Sequence, residues 1–368
     1  MSDQTASVGT APAEPKAAAT RRRFWDALDE RLGLKGLQYP IPEHANKLAY
    51  SLGGLTLITF VLMVATGIYL TQFYNPDPNL AHASVRRIIT SVSFGKFLRG
   101  FHYWGAMAMI VLIGLHLLRV FVSGSFKRPR EANWIMGVIL AGITAALFFT
   151  GTVLKWDQES LEALEHNIEI GKILGRFGFW FSPTFGGIPI LTRFYVVHIA
   201  VLPSLFTLVV AMHLLLVKRH GMAPSPFRKG PEPEPTRPFT KHLAELGALA
   251  LVLVGIFTML AVLAPPAHGP APIEGIEVTK PPWPMLWVYP IEDWVGVSGI
   301  LWATLAIFLA LFLVPFVDRS PERSPRKRLP IPRKRLPMMI VAGLVVVTII
   351  ALIIYAAVQP VASHIEMG

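Results

Sequence analysis

The stretch GFHYWGAMAMIVLIGLHLLRVFV, Gly100–Val122, decides how the rest of the chain is read. It has 23 residues and contains no Asp, Glu or Lys. A membrane-spanning helix needs about 20 mostly apolar residues. Arg119 lies close enough to one end to reach the interface along its own apolar stem. Six more stretches match it: Leu48–Tyr74, Ala132–Leu154, Phe194–Val217, Leu246–Pro265, Trp294–Val317 and Leu336–Pro360. One such run would equally suit a helix buried in a soluble core. Seven in a chain of 368 residues predict an all-α membrane protein with seven transmembrane helices.

Composition agrees. Charged residues make up 15% and hydrophobic residues 53%, whereas a soluble domain carries about 25% charged residues. A water-soluble enzyme is excluded on these grounds. The chain has no cysteine. Disulfides, Cys-ligated iron–sulfur clusters, Cys-zinc sites and covalently attached haem are therefore excluded within it.

The net charge of +11 reports topology. The N-terminal region and the second, fourth and sixth connections carry 24 Lys and Arg. The other connections and the C-terminal tail carry 9. The positive-inside rule places the N-terminus in the cytoplasm and the C-terminus outside, in a bacterial cytoplasmic membrane. No nucleic-acid partner is needed to explain the charge. The segment DRSPERSPRKRLPIPRKRLP, residues 318–337, is expected to contact anionic lipid headgroups. Residues 1–23 read as a disordered cytoplasmic tail. Phe24–Leu34 has helical spacing suited to lying on the membrane surface or in water.

Two of the runs carry paired histidines. His102 and His116 stand 14 apart, and His198 and His213 stand 15 apart. At about 100° and 1.5 Å per residue, each pair returns to one face with its members about 21–22 Å apart. The two helices run in the same direction. His102 and His198 therefore share an outer depth, and His116 and His213 share an inner one. Two facing pairs suit two bis-histidine haems stacked across the bilayer, because haem iron takes axial imidazole and a neutral ligand brings no net charge into lipid. A single intramembrane histidine would more often be structural. A zinc site would need its ligands to converge on one point, which this spacing forbids.

Glycines flank this arrangement: Gly53, Gly54 and Gly67 in the first run, and Gly137, Gly142 and Gly151 in the third. A flat macrocycle between helices needs such close approach, although ordinary helix packing uses small residues too. Arg99 and Arg193 sit at the outer helix ends, where they could pair with haem propionates. Arg119, Lys218 and Arg219 sit at the inner ends. Each alone also suits an interfacial anchor.

With these residues in view, the sequence resembles the cytochrome b family, in the form of cytochrome b6 followed by subunit IV. The matching segments are YSLGGLT (Tyr50–Thr56), ATG (Ala65–Gly67), FHYW (Phe101–Trp104), LHLLRV (Leu115–Val120), GSFKRPRE (Gly124–Glu131), WDQ (Trp156–Gln158) and LTRFY (Leu191–Tyr195). The 15-residue histidine spacing is of the b6 type, against 14 in mitochondrial-type chains. The resemblance implies a b6-like four-helix di-haem domain over 24–225 and a subunit IV-like three-helix domain over 226–368. It implies two non-covalent b-type haems, the outer on His102 and His198 and the inner on His116 and His213. It also implies quinol oxidation outside and quinone reduction inside. The partners implied are a Rieske iron–sulfur protein and a c-type cytochrome, in a homodimeric complex.

Three departures from the family stand out. Ser51 occupies the place of the cysteine that anchors an extra c-type haem, so no covalent haem is expected. The subunit IV signature Pro-Glu-Trp-Tyr reads PPWP here, Pro281–Pro284, with Pro282 in place of the proton-accepting glutamate and Trp283 kept. The connection after WDQ is unlike the family, though Leu161, Leu164 and Ile168 share a helical face. The outer quinol region is therefore expected around Pro282 and Trp283. Asp157, Glu277, Glu292, Asp293 and the other acids up to Glu169 are candidate replacement bases. An alternative is a di-haem subunit passing electrons between the quinone pool and another redox module without bifurcation. A transporter or scaffold is a third class, but no repeat relates the two halves.

Overall fold

The computed structural model describes residues 23–24, 26–31, 33, 36, 39–223, 237–318 and 335–361. The proposed tail and most of the basic segment 318–337 lie outside the described residues. Residues 23–24 and 26–31 are helical.

Among the described residues seven helices are long and apolar enough to cross a membrane. They are α1 (Leu48–Thr71), α3 (Gly95–Ser123), α4 (Glu131–Val153), α6 (Ile190–His220), α7 (Phe239–Leu263), α9 (Val297–Val317) and α10 (Leu336–Val358). Three shorter helices lie in connections: α2 (Ala81–Thr90), α5 (Gln158–Ile173) and α8 (Tyr289–Val295). All seven predicted spans are present. Four of them, α3, α4, α6 and α7, begin before the apolar run does, because polar residues such as Arg99, Arg193 and His242 extend a helix without needing lipid contact. The sequence reading overlooked α2, whose amphipathic pattern is too short to register as a span.

Intramembrane helices satisfy their own backbone, and threonines can fold into the same scheme. Thr56, Thr59, Thr144 and Thr150 each donate a hydrogen bond to the carbonyl four residues earlier. Helix α3 packs against α1 and α7, and α4 packs against α6. Their shared core contains Phe60, Met109, Ile143 and Phe206. Phe60 and Phe206 stack with ring centroids 4.0 Å apart. Met109 lies midway between His102 and His116 in sequence, so this apolar layer falls between the two histidine depths. Removing such a Phe from a packed core costs about 3–5 kcal/mol.

At the end of the bundle nearer His102 and His198, α5 is capped by Asp157, whose carboxylate accepts from the Ser160 amide at 3.2 Å. Leu161 and Leu164 bury their face against Val153, Trp156, Leu191 and Phe194, as the spacing predicted. Trp156 sits between α4 and α5 with φ 49°, a left-handed conformation uncommon for a bulky residue. Its indole donates to the Pro78 carbonyl at 2.8 Å. The connection 264–288 then lies across α5. Gln158 donates to the Ile276 carbonyl at 2.7 Å, and Glu162 accepts from the Val278 and Thr279 amides at 2.9 and 3.0 Å. At the opposite end, Asp318 is buried between Lys127 at 3.5 Å and Arg335 at 2.6 Å, which ties the ends of α9 and α10 to the turn after α3.

Candidate functional site

The four histidines meet in the two predicted pairs. The rings of His102 and His198 are 6.4 Å apart between centroids, and those of His116 and His213 are 6.5 Å apart. Neither pair is in van der Waals stacking. Two imidazoles sharing one transition-metal ion, each nitrogen about 2 Å from it, leave their ring centres about 6 Å apart. Both pairs have that separation.

The glycines are assigned one to each histidine. A Cβ built on Gly53 would stand 2.9 Å from His116 Cε1, and one on Gly151 would stand 3.0 Å from His198 Cε1. At Gly67 and Gly137 the corresponding contacts are 3.5 Å to His102 Cε1 and 3.7 Å to His213 Cε1. At these four positions α1 and α4 thus present backbone, not a side chain, to the imidazoles of α3 and α6. Gly54 and Gly142 face Leu246 and Phe308 instead, so they serve helix packing.

Three of the imidazoles are oriented by a hydrogen bond at Nδ1. Thr66 Oγ1 lies 2.9 Å from His102 Nδ1, and Thr150 Oγ1 lies 2.9 Å from His198 Nδ1. Each threonine spends its own proton on a carbonyl one turn back, at 2.8 Å. The imidazole Nδ1–H must therefore be the donor, which leaves Nε2 with its lone pair free to ligate. His213 Nδ1 donates to the Asn133 carbonyl at 3.1 Å. His116 Nδ1 is buried with no hydrogen-bond partner. The sequence reading missed these threonines. The signal was available, because the dipeptide Thr-Gly occurs at 66–67 and again at 150–151, each 14 residues after a glycine.

The 15-residue spacing in α6 also acquires a reason. Val197–Val201, which contains His198, forms a π-turn within the helix. A π-turn accommodates an additional residue. It brings His198 back into phase with His213 despite the extra position.

A cavity of about 350 Å3 surrounds the outer pair. Its lining includes Gly67, Gly151, Tyr74, Arg99, Lys155 and Pro282. This chain therefore has the donor set and the room for a flat group held by two imidazoles at the outer depth. The inner pair has the same donors and spacing.

The arginines differ from one another. Arg99 borders the cavity, and its guanidinium donates to the Pro266 and Ala267 carbonyls at 2.8 and 3.0 Å. Arg193 is buried and donates to the Trp180 and Ser182 carbonyls, with its guanidinium 5.2 Å from the Trp180 ring centre. It holds the turn before α6. Arg119 lies 3.6 Å over the ring of Tyr50. Lys218 and Arg219 are exposed in the last turn of α6, where cations complement the helix dipole. Ser51 is buried.

The proposed outer quinol residues are spread over two places. Pro282 forms cavity wall, while Trp283 opens a 3-10 turn and is half-exposed. Asp157 accepts from Ser160 Oγ at 2.8 Å and the Gly269 amide at 3.1 Å, and it faces His268 Nδ1 at 3.7 Å. Burial opposes its charge, but His268, Lys155, Ser160 and Gly269 together hold its carboxyl far below the usual range. Glu277 lies 3.4 Å from His166 Nε2, and Glu292 lies 2.8 Å from the same atom. Burial disfavours the imidazolium, but the two glutamates outweigh it and push His166 up to about 10.

With this geometry in place, comparison with known proteins is direct. The family described as cytochrome b/b6/petB matches residues 37–221, half of the chain. The chain belongs to the cytochrome b/b6 family. Among curated relatives of this cytochrome b, the menaquinol:cytochrome c reductase cytochrome b subunit of Geobacillus thermodenitrificans is 35% identical over 218 residues, covering 55% of this chain and 97% of that one. Cytochrome b6 of Heliomicrobium gestii is 38% identical over 194 residues, covering 50% and 89%. A chain in the solved structure of a hyperthermophilic respiratory Complex III superposes with a TM-score of 0.76 at 23% identity, over 91% of each chain. The last likeness shows a shared fold that extends beyond the part matched by the sequence relatives.

Proposed function

We propose that this cytochrome b is the di-haem subunit of a quinol–cytochrome c reductase-like assembly of bc or b6f type. It oxidises quinol at the outer side and reduces quinone at the inner side, coupled to proton translocation. The observation that carries this reading is the registration of four histidines with four glycines: His102 with Gly67, His198 with Gly151, His116 with Gly53 and His213 with Gly137. Helix packing alone would not require each of these four glycines to face a different imidazole.

In this reading His102 and His198 hold an outer b-type haem, and His116 and His213 hold an inner one. Those haems, when bound, carry single electrons between the two faces of the bilayer. The protein's own contribution is orientation and insulation. Thr66, Thr150 and Asn133 fix three ligand rings. Gly53, Gly67, Gly137 and Gly151 leave room for the macrocycles. Phe60 and Phe206 fill the layer between them and exclude water. Arg99 supplies positive charge at the wall of the outer cavity, with Arg119, Lys218 and Arg219 toward the inner side. Moving one electron between the depths against the membrane potential involves about 2.3 kcal/mol per 100 mV if the full potential is crossed.

The same reading places 24–225 as the haem-carrying domain and 226–368 as the subunit IV-like domain, with the N-terminus cytoplasmic and the C-terminus outside. Iron–sulfur and c-type haem chemistry comes from other chains, a Rieske protein and a c-type cytochrome, because this one has no cysteine to hold either. The assembly is a homodimer of such complexes.

A reduced-minus-oxidised spectrum of the purified complex tests the cofactor assignment. Two b-type haems are expected, with the inner one lost in His116→Ala. Two full haems in that variant would overturn the ligand assignment. Bifurcation at the outer site predicts that adding oxidant, with an inhibitor blocking the inner site, transiently reduces the b haems. An outer-site inhibitor should abolish that reduction.

A further inference from the structure

The outer cavity poses a proton problem as well as an electron problem. A quinol oxidised at its Pro282 wall, beside the flat group that His102 and His198 would hold, must also shed hydroxyl protons, and they need a base within hydrogen-bond reach. Among the described residues, the lining contains no Asp or Glu. Its ionisable groups are Tyr74, Arg99, Tyr103, Lys155 and Tyr195 beside His102 and His198. Pro282, on the wall, has no group that can take a proton.

Lys155 is the lining residue that joins the cavity to carboxylates. Its Nζ lies 2.7 Å from Glu159 Oε2 and 3.6 Å from Asp157 Oδ1. The left-handed turn at Trp156 separates the lysine from the helix that carries both acids. The two acids are not equivalent. Asp157 is committed to Ser160, Gly269 and His268, and these partners stabilise its ionised form. Glu159 gives one oxygen to Lys155, while its Oε1 is shielded and has no hydrogen-bond partner. Its side chain is still 27% exposed, so it retains a route to water.

We propose that Lys155 and Glu159 form the proton-accepting pair for quinol in the outer cavity, Lys155 meeting the hydroxyl and Glu159 storing the proton. This rests on the quinol-oxidising reading above and adds a residue assignment to it. In the step, Lys155 passes one ammonium proton to the Glu159 carboxylate as the quinol hydroxyl passes its proton to Lys155. One quinol O–H bond breaks, the N–H count of Lys155 is restored, and an O–H bond forms on Glu159. Quinol leaves the step as its monoanion, and no electron moves in it. Glu159 then releases the proton to the outer aqueous side. The charged and titratable groups around Glu159 are Lys155, Asp157 and Glu162, with Tyr103 across from α3. Burial raises the Glu159 carboxyl, Lys155 draws it down, and the charges of Asp157 and Glu162 raise it again, leaving it above the usual glutamate range.

The test uses the intact membrane complex. Quinol oxidation is followed against pH in the natural protein, Glu159→Gln, Glu159→Asp and Lys155→Met, together with the haem spectrum and the infrared carboxyl bands on quinol binding. Glu159→Gln is expected to lower kcat by on the order of 100-fold at unchanged KM, with both b haems retained. The acid limb of the pH profile, set by Glu159, should disappear, and so should a protonated-carboxyl band seen in the natural protein. Glu159→Asp should restore part of the rate. Natural kcat and an intact acid limb in Glu159→Gln would overturn the assignment. Should that variant fail to assemble, the same readouts on Lys155→Met decide, with natural kcat and limb again overturning it. If the natural protein shows no oxidant-induced b-haem reduction, the quinol-oxidising reading falls and this inference with it. If it does show that reduction, an unchanged variant defeats the inference alone.

Discussion

Thr66 and Thr150 illustrate how much depends on single side chains. Each hydroxyl is saturated as a donor by its own helix and offers the His102 or His198 imidazole a lone pair. Losing such an outer partner typically costs 10–100-fold in metal affinity. Thr66→Val, isosteric but unable to accept, is expected to weaken outer haem retention by about 10-fold while leaving the inner haem in place, measured by haem titration of the stripped protein. Gly53 makes the steric counterpart. A Cβ there would stand 2.9 Å from His116, and a branched side chain would fill the space beside the ring. Gly53→Val is expected to lose the inner haem and keep the outer one, read from the b-band absorbance. Of these two features the sequence reading found one. The glycines stood out because glycine is costly in a helix. The threonines did not, because a threonine in an apolar helix usually bonds only its own backbone.

At the scale of the element, the π-turn in α6 resolves the one irregularity in the histidine pattern. Fifteen residues of regular α-helix would leave His198 and His213 about 60° apart in phase. The π-turn at Val197–Val201 absorbs the surplus residue. Deleting Ala200 alone is expected to convert the turn to α-helix and keep both haems. Deleting Ile199 and Ala200 together would turn His198 by about 100° and remove the outer haem only. Potentiometric titration of the two variants checks this. Spacing in the sequence counted the residues correctly, but it could not place the turn that makes the count work. Helix α5 shows the reverse case. Its leucine spacing was readable, and the hydrophobic cluster around Leu161 and Leu164 formed as expected.

For the whole molecule, the end nearer His102 and His198 is a clamp between α5 and the connection that follows α7. Asp157 at the cap of α5 and Gln158, Glu162 and His166 on it all engage the connection 264–288 or Glu292 on α8. His82 from α2 stacks on His268, with ring centroids 4.3 Å apart. His166 is pushed up to about 10 in the folded protein, against about 6.5 in an unfolded chain. A raised cationic pKa stabilises the fold fully below the unfolded value and loses that contribution as pH rises through the folded one. The clamp is therefore expected to loosen between about pH 6.5 and 10. Amide hydrogen exchange in 264–288 should speed up over that window beyond its intrinsic pH dependence, and His166→Gln should remove the effect. An unchanged protection factor across the window would contradict the assignment of His166 as the charged centre of the clamp.

The sequence by itself determined the seven spans, the two histidine depths and the exclusion of Cys-based chemistry. Helix length, period and residue type are local properties, and a bilayer makes them decisive. Only the tertiary structure decided which glycine faces which histidine, that threonine hydroxyls set the ring nitrogens, and that Asp157 is bound into a loop while Glu159 keeps a free oxygen. Those outcomes depend on distances between helices far apart in the chain, and no spacing within one helix encodes them.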